Sequence, residues 1–140
     1  MQIAESGDTL HITTYREGNE EGLQVRFDRE TGSRLKEYYK KNNRYDGLYR
    51  EYDPSTGELV YEATYEFGRL NGKAKSLVRD NRFDYWETST YANGRQTGPF
   101  ESRYVKNDRV RETGTYRNGH RTGRWKRYDI NGKLEMEWEE

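Results

Sequence analysis

The 140-residue chain has room for one ordinary domain, and its 25 basic residues balance 25 acidic ones, which argues against a nucleic-acid binder with a basic stripe. It has no cysteine for a disulfide framework or a thiolate zinc site, and no run approaches the length of an apolar membrane span. Leu, Ile, Val and Phe supply only 20 residues, but 13 Tyr, four Phe and three Trp can build a thin core, since each ring buries about 150–250 Å².

The opening residues, MQIAESGDTLHITTY, have neither a basic n-region nor an apolar h-region. A signal peptide is therefore not expected, and the reading is a soluble, cytoplasmic protein. From there the chain repeats itself. Gly22, Gly47, Gly72, Gly98 and Gly123 lie 25, 25, 26 and 25 residues apart. Tyr15, Tyr65, Tyr91 and Tyr116 each precede one of these glycines by seven positions, and Tyr39 precedes Gly47 by eight. Glu37, Glu62, Glu87, Glu112 and Glu137 recur every 25 residues without a slip. Residues 1–140 thus read as a single array domain, with residues 1–21 as a partial capping unit and repeats beginning near the five glycines.

Each repeat reads as a β-hairpin. The second, GLYREYDPSTGELVYEATY, has an extended run, a turn at DPSTGE and an alternating run. There Leu59, Tyr61, Ala63 and Tyr65 share one face, and Glu62 and Thr64 the other. The last repeat closes with a turn at INGK and LEMEWEE, where Leu134, Met136 and Trp138 alternate with glutamates that guard a sheet edge. Asn-Gly pairs at 71–72, 93–94, 118–119 and 131–132 are expected turns, because Asn and Gly tolerate the positive φ of tight hairpins. Pro54 and Pro99 fall beside turns, and no helix is expected. The fold class is all-β, an antiparallel sheet of about ten to twelve short strands in hairpins that bury their faces against neighbours.

The phrase Y-x-N-G-x-x-x-G-x-[W/F], as in TYANGRQTGPF and TYRNGHRTGRW, resembles the MORN repeat, most closely its bacterial variant form. The resemblance extends over roughly residues 10–140 and is fullest in the last two repeats; KAKSLVRD, after Gly72, lacks the aromatics of the pattern. It implies an elongated, curved antiparallel sheet of stacked hairpins. It also implies an antitoxin or immunity protein that neutralises a partner toxin by occluding it, with a structural scaffold or membrane-peripheral adaptor as the alternative.

The glutamate column reads as cross-strand ion pairs with Arg26, Arg50, Arg103 and Arg127, each worth about 0.2–1 kcal/mol. The step from glutamate to the following tyrosine is two, three, four and four residues, so the face of each glutamate stays open. Arg44, Arg69, Arg95 and His120 form a second column, read as solvated turn residues or as a basic ladder for a partner. Tyrosines seven before the repeat glycines, with Tyr49, Phe100 and Trp125 two after theirs, are expected in the core. Tyr45, Phe67, Tyr85 and Trp86 are aromatics the repeat does not require, set beside Arg44, Arg69 and Arg82. Tyr, Trp and Arg are the side chains that dominate protein interfaces. The expected partner-binding set is therefore Trp86, Tyr85, Phe67, Arg69, Arg82, Arg95, Tyr45 and Arg44, with Tyr85 and Trp86 on opposite faces. His11 and His120 offer no catalytic pairing, and no nucleophile elbow, zincin motif or phosphate loop occurs. Exposed tyrosines beside carboxylates are the sole basis for a carbohydrate-directed activity, without a paired-acid cleft to support it. Neither an enzyme nor any cofactor or metal is expected. The expected partner is a protein, a toxin or effector domain, rather than nucleic acid or membrane.

Overall fold

The computed structural model describes residues 2–6 and 9–140, with side chains from residue 10 onward; Met1, Gly7 and Asp8, part of the expected capping unit, lie outside the described residues. Every described element is a β-strand, and every described strand pairing is antiparallel, as the hairpin reading requires. No described segment is a helix long and apolar enough to cross a membrane. The chain divides into two compact units, Met1–Arg69 and Leu70–Glu140.

The first unit contains β1 (Gln2–Ser6), β2 (Thr9–Thr13), β3 (Tyr15–Arg16), β4 (Asn19–Glu20), β5 (Gly22–Asp28), β6 (Arg34–Lys41), β7 (Arg44–Tyr52) and β8 (Leu59–Glu66). Its sheet runs β1-β2-β5-β6-β7-β8, with β3 and β4 paired apart. The second contains β9 (Arg69–Val78, from Leu70), β10 (Tyr85–Ala92), β11 (Arg95–Gln96), β12 (Gly98–Tyr104), β13 (Val110–Arg117), β14 (His120–Tyr128) and β15 (Leu134–Glu139). Its order is β9-β10-β12-β13-β14-β15, and β11 pairs with the end of β10.

Tight two-residue turns close at Glu17–Gly18, Asn42–Asn43, Phe67–Gly68, Asn93–Gly94 and Asn118–Gly119, all with φ between 50° and 85°. Two successive positive φ values match the twist of paired strands, which is why Asn and Gly dominate here. The expected turn at Asn71–Gly72 is not one: both residues lie inside β9, and the turn falls at Phe67–Gly68. Gly72 instead keeps its repeat role. All five repeat glycines have φ between 70° and 106° within or at the start of a strand, a conformation that a Cβ disfavours. Each later tight turn is also tied to the repeat before it by one backbone bond within its unit. Asn43 N donates to Glu20 O, Gly68 to Tyr45, Gly94 to Leu70 and Gly119 to Gln96.

The wider turns share a different device. Asp28, Asp53 and Asp129 each accept backbone N–H groups of the turn on Oδ1, while Gly32, Gly57 and Gly132 return a bond to the aspartate carbonyl. This satisfies the loop's own donors locally and closes a long turn without a partner.

The core is aromatic. In the first unit Tyr38, Tyr45, Tyr49, Tyr61 and Tyr65 lie on one face with centroids 5.1–6.0 Å apart, and Ala63 is fully buried beneath them. Leu59, Tyr61, Ala63 and Tyr65 alternate along β8 as predicted. In the second, Phe100, Tyr116, Trp125 and Trp138 pack at 5.3–6.3 Å. Two expected core tyrosines are outside it. Tyr15 is 44% exposed on short β3, and Tyr39 is 45% exposed because its neighbour Tyr38 takes the inward position.

Trp125, with no exposed surface, lies flat against Gly114, where an added Cβ would stand 2.1 Å from the ring. Gly114→Ala is expected to cost about 3 kcal/mol, since neither β13 nor the ring can give way. The midpoint of urea unfolding measures it, and an unchanged midpoint would show that the ring can move.

Candidate functional site

The repeat glutamates, spaced evenly in sequence, do not form one column in space. Glu37 and Glu62 flank Arg50 on the face of the first unit away from its tyrosines. Arg50 bonds both, Nη1 at 3.3 Å from Glu37 and Nε at 2.8 Å from Glu62, and Arg34 reaches Glu37 at 3.0 Å. Glu87 and Glu112 lie instead on the aromatic face of the second unit, on either side of Ser102. Glu137 turns to the opposite face, beside Lys126, and pairs with Arg124 at 3.1 Å. The expected pairing with Arg50 and Arg127 holds, but Arg26 and Arg103 are elsewhere. Arg26 faces Lys36 and leans on the Tyr38 ring; Arg103 faces Trp86 and pairs with Glu101. A displacement of one residue sends a side chain to the other face of a sheet.

Burial acts to raise the Glu37 carboxyl, but hydrogen bonds from Tyr52 and Arg50 and the charges of Arg34 and Arg50 outweigh it and hold the group below its ordinary range. Glu112 is the more buried acid, its side chain 4% exposed. Arg127 donates to it at 2.9 and 3.0 Å, with Arg121 at 3.5 Å and Arg111 at 3.8 Å. Arg111 can share this face with its neighbour Glu112 because the ladder slips at Ser102/Arg103, leaving Arg111 as the extra residue of a bulge. Its guanidinium lies 3.9 Å from the Tyr85 ring centroid. The Ser102 hydroxyl, wholly buried between Glu87 and Glu112, has no hydrogen-bond partner among the described residues.

The predicted interface residues are scattered. Tyr85 and Trp86 do face opposite ways, and this removes Tyr85 from the surface: it is 9% exposed, capped by Arg111. Tyr45 belongs to the tyrosine core of the first unit. Arg44, Arg69 and Arg95 are exposed where β7, β9 and β11 leave their tight turns, as is His120 at the start of β14. Arg82 is exposed in the β9–β10 connection and lines a hollow of about 410 Å³ with Phe83, Tyr104 and Arg127. Phe67 is 68% exposed at the tip of its turn, where its φ of 52° is one a bulky side chain resists. The equivalent positions hold Glu17, Asn42, Asn93 and Asn118.

Trp86 lines the larger concavity, a groove of about 870 Å³ on the face of the second unit opposite its aromatic core. Lys73, Lys75, Thr88, Glu101 and Arg103 also line it. Lys75 lies 4.5 Å from the Trp86 ring centroid. Arg103 is occupied by Glu101 and by the Asp108 carbonyl at 2.8 Å, whereas Lys73 and Lys75 have no ion-pair partner among the described residues. The lysines were missed in the sequence, although Lys73, Lys75 and Leu77 already alternate in KAKSL. Among the described residues no three His, Asp or Glu side chains gather as a metal site would need. No protein-family model matches the chain, and a search of curated proteins finds no match.

Two expectations follow. Burial raises the Glu87 carboxyl and Glu112 adds to this, against the opposing charges of Arg111 and Arg121. Its contribution to stability is full below the ordinary 4.5 and is lost as pH rises through the folded-state value. Glu87→Gln should therefore unfold at higher urea than the parent near neutral pH, with the gain vanishing below pH 4.5; a gain that persists in acid would exclude charge burial as its cause. Phe67→Asn should raise stability by about 1 kcal/mol, because Asn accepts positive φ and the ring buries little; thermal unfolding measures it.

Proposed function

We propose that this chain is a non-enzymatic protein-binding module and, more narrowly, an antitoxin or immunity protein that neutralises a cognate toxin by covering it. The observation that carries the first statement is the Trp86 groove. A half-buried indole stands in an open concavity with two lysines that no carboxylate among the described residues neutralises. An aromatic anchor with surrounding polar groups is the usual centre of a protein interface. Held on paired strands rather than on a loop, it loses little ordering entropy on binding. The narrower statement rests on the resemblance of the repeat to bacterial MORN variants.

One observation favours the alternative, a scaffold or membrane-peripheral adaptor. Phe67 is exposed at a turn tip, with exposed Arg69 two residues on and exposed Arg44 against Gly68 of the same turn. An aromatic beside cations suits an anionic bilayer surface, and such binding weakens steeply with salt.

Trp86→Ala should weaken the complex with the cognate toxin or effector domain by ~10-fold or more, about 1.4 kcal/mol, while thermal unfolding of the free variant stays unchanged. Titration calorimetry reads the affinity. An unchanged affinity removes Trp86 from the interface, and salt-sensitive binding of the chain to phosphatidylglycerol vesicles, lost in Phe67→Asn, would favour the adaptor.

A further inference from the structure

Resting on the reading of the Trp86 groove as a protein-binding surface, we propose that its occupant is an extended acidic segment with the pattern acid–x–acid–x–aromatic, lying along β9. Lys73, Lys75 and Leu77 alternate on one face of β9, opposite Thr90, Thr88 and Trp86 of β10. Alternate side chains of a strand are about 6.6 Å apart, and the side chains of an extended peptide repeat at the same spacing. Two carboxylates at positions one and three of such a peptide therefore meet Lys73 and Lys75 together. The fifth side chain then falls over Leu77 and Trp86.

Charge selects the sign of the occupant. The acids of the groove, Glu101 and Asp108, both engage Arg103, so the wall formed by β9 keeps its positive charge. Lys73 and Lys75 are both exposed, and desolvating them beneath a partner is costly unless carboxylates replace the lost water. Thr88 leaves a hydroxyl between the two walls, whereas the Thr90 hydroxyl is taken by the Pro99 carbonyl at 3.0 Å. The surroundings of Trp86 thus combine an indole ring with Lys75 laid over it, a second lysine and a spare hydroxyl, with neither lysine ion-paired among the described residues, a set that fits carboxylates flanking an aromatic group. A single-stranded nucleic acid would also find a ring and cations here, and the test separates the two.

The probe is a capped synthetic peptide, Glu-Thr-Glu-Thr-Phe, with three comparators: its glutamine version, the same composition with adjacent glutamates, and oligodeoxythymidine. The readout is the indole N–H resonance of Trp86, assigned with Trp86→Phe; the Trp125 resonance reports that the fold is intact. The peptide should shift the Trp86 signal in a saturable, salt-sensitive way. Lys73→Glu with Lys75→Glu should weaken it ~10-fold or more, and the glutamine and adjacent-acid peptides should bind at least ~10-fold more weakly. Equal binding of the glutamine peptide, indifference to the lysine substitutions, tighter binding of the oligonucleotide, or no shift at all would each overturn the proposal. Should the peptide fail while Trp86→Ala still disrupts the natural complex, the acidic pattern falls and the protein-binding reading stands. An unaffected natural complex would remove that reading itself.

Discussion

Two consecutive residues with positive φ, recurring through the chain, decide where each tight hairpin closes, and everything else inherits its register from them. A type of turn that matches strand twist leaves the flanking strands only one comfortable pairing. One backbone bond from each later tight turn to the repeat before it adds a second constraint, so that a slip in one hairpin would have to break its neighbour. The repeat glycine, set just beyond the turn, takes up the bulge that this arrangement forces on the strand. Stability in such a chain is local by construction, since each hairpin leans chiefly on the next.

Register in turn decides which side chains meet. The partner of the repeat glutamate lies three residues beyond its glycine in the first unit, Arg50 after Gly47, and four beyond in the second, Ser102 after Gly98 and Arg127 after Gly123. That difference of one moves the acid from the outer face to the aromatic face. In the first unit the consequence is a partly exposed network of Arg34, Glu37, Arg50 and Glu62, worth little individually. In the second it is a buried carboxylate that needs three arginines, all of which also cover rings: Arg111 over Tyr85, Arg121 over Trp125 and Arg127 near Trp138. Arginine suits this double duty because its planar fork serves acids at the edge while its face stacks on aromatics.

The two faces of the second unit therefore divide the labour. The aromatic face consumes its charges internally, with Glu112 surrounded and Tyr85 capped. The opposite face leaves Lys73 and Lys75 unmatched beside Trp86. Conformational strain is placed on the chain in the same selective way. Positions filled by Asn in three of the tight turns hold Phe67 in one, where the ring is mostly in solvent. A side chain that costs backbone energy and buries little contributes nothing to folding that Asn would not supply better.

Much of this was legible in the residues themselves. Alternation along β8 and β15, the turn chemistry of DPSTGE and INGK, and the fixed spacing of glycine and tyrosine determine an all-β chain of antiparallel hairpins. The step from glutamate to tyrosine did not carry the face of the acid: it is even at both Glu37–Tyr39 and Glu87–Tyr91, yet Glu37 faces outward with Tyr39 and Glu87 lies on the aromatic face. The tertiary structure alone decided which member of a pair such as Tyr38–Tyr39 or Tyr85–Trp86 is inward, that Asn71–Gly72 is strand rather than turn, and that Arg111 joins Glu112. Period two assigns side chains to two alternating sets but does not say which set is buried, and a single bulge exchanges the sets beyond it. The face that carries Trp86 and its lysines depends on the sum of those bulges, a quantity set by pairing between strands and absent from any one strand.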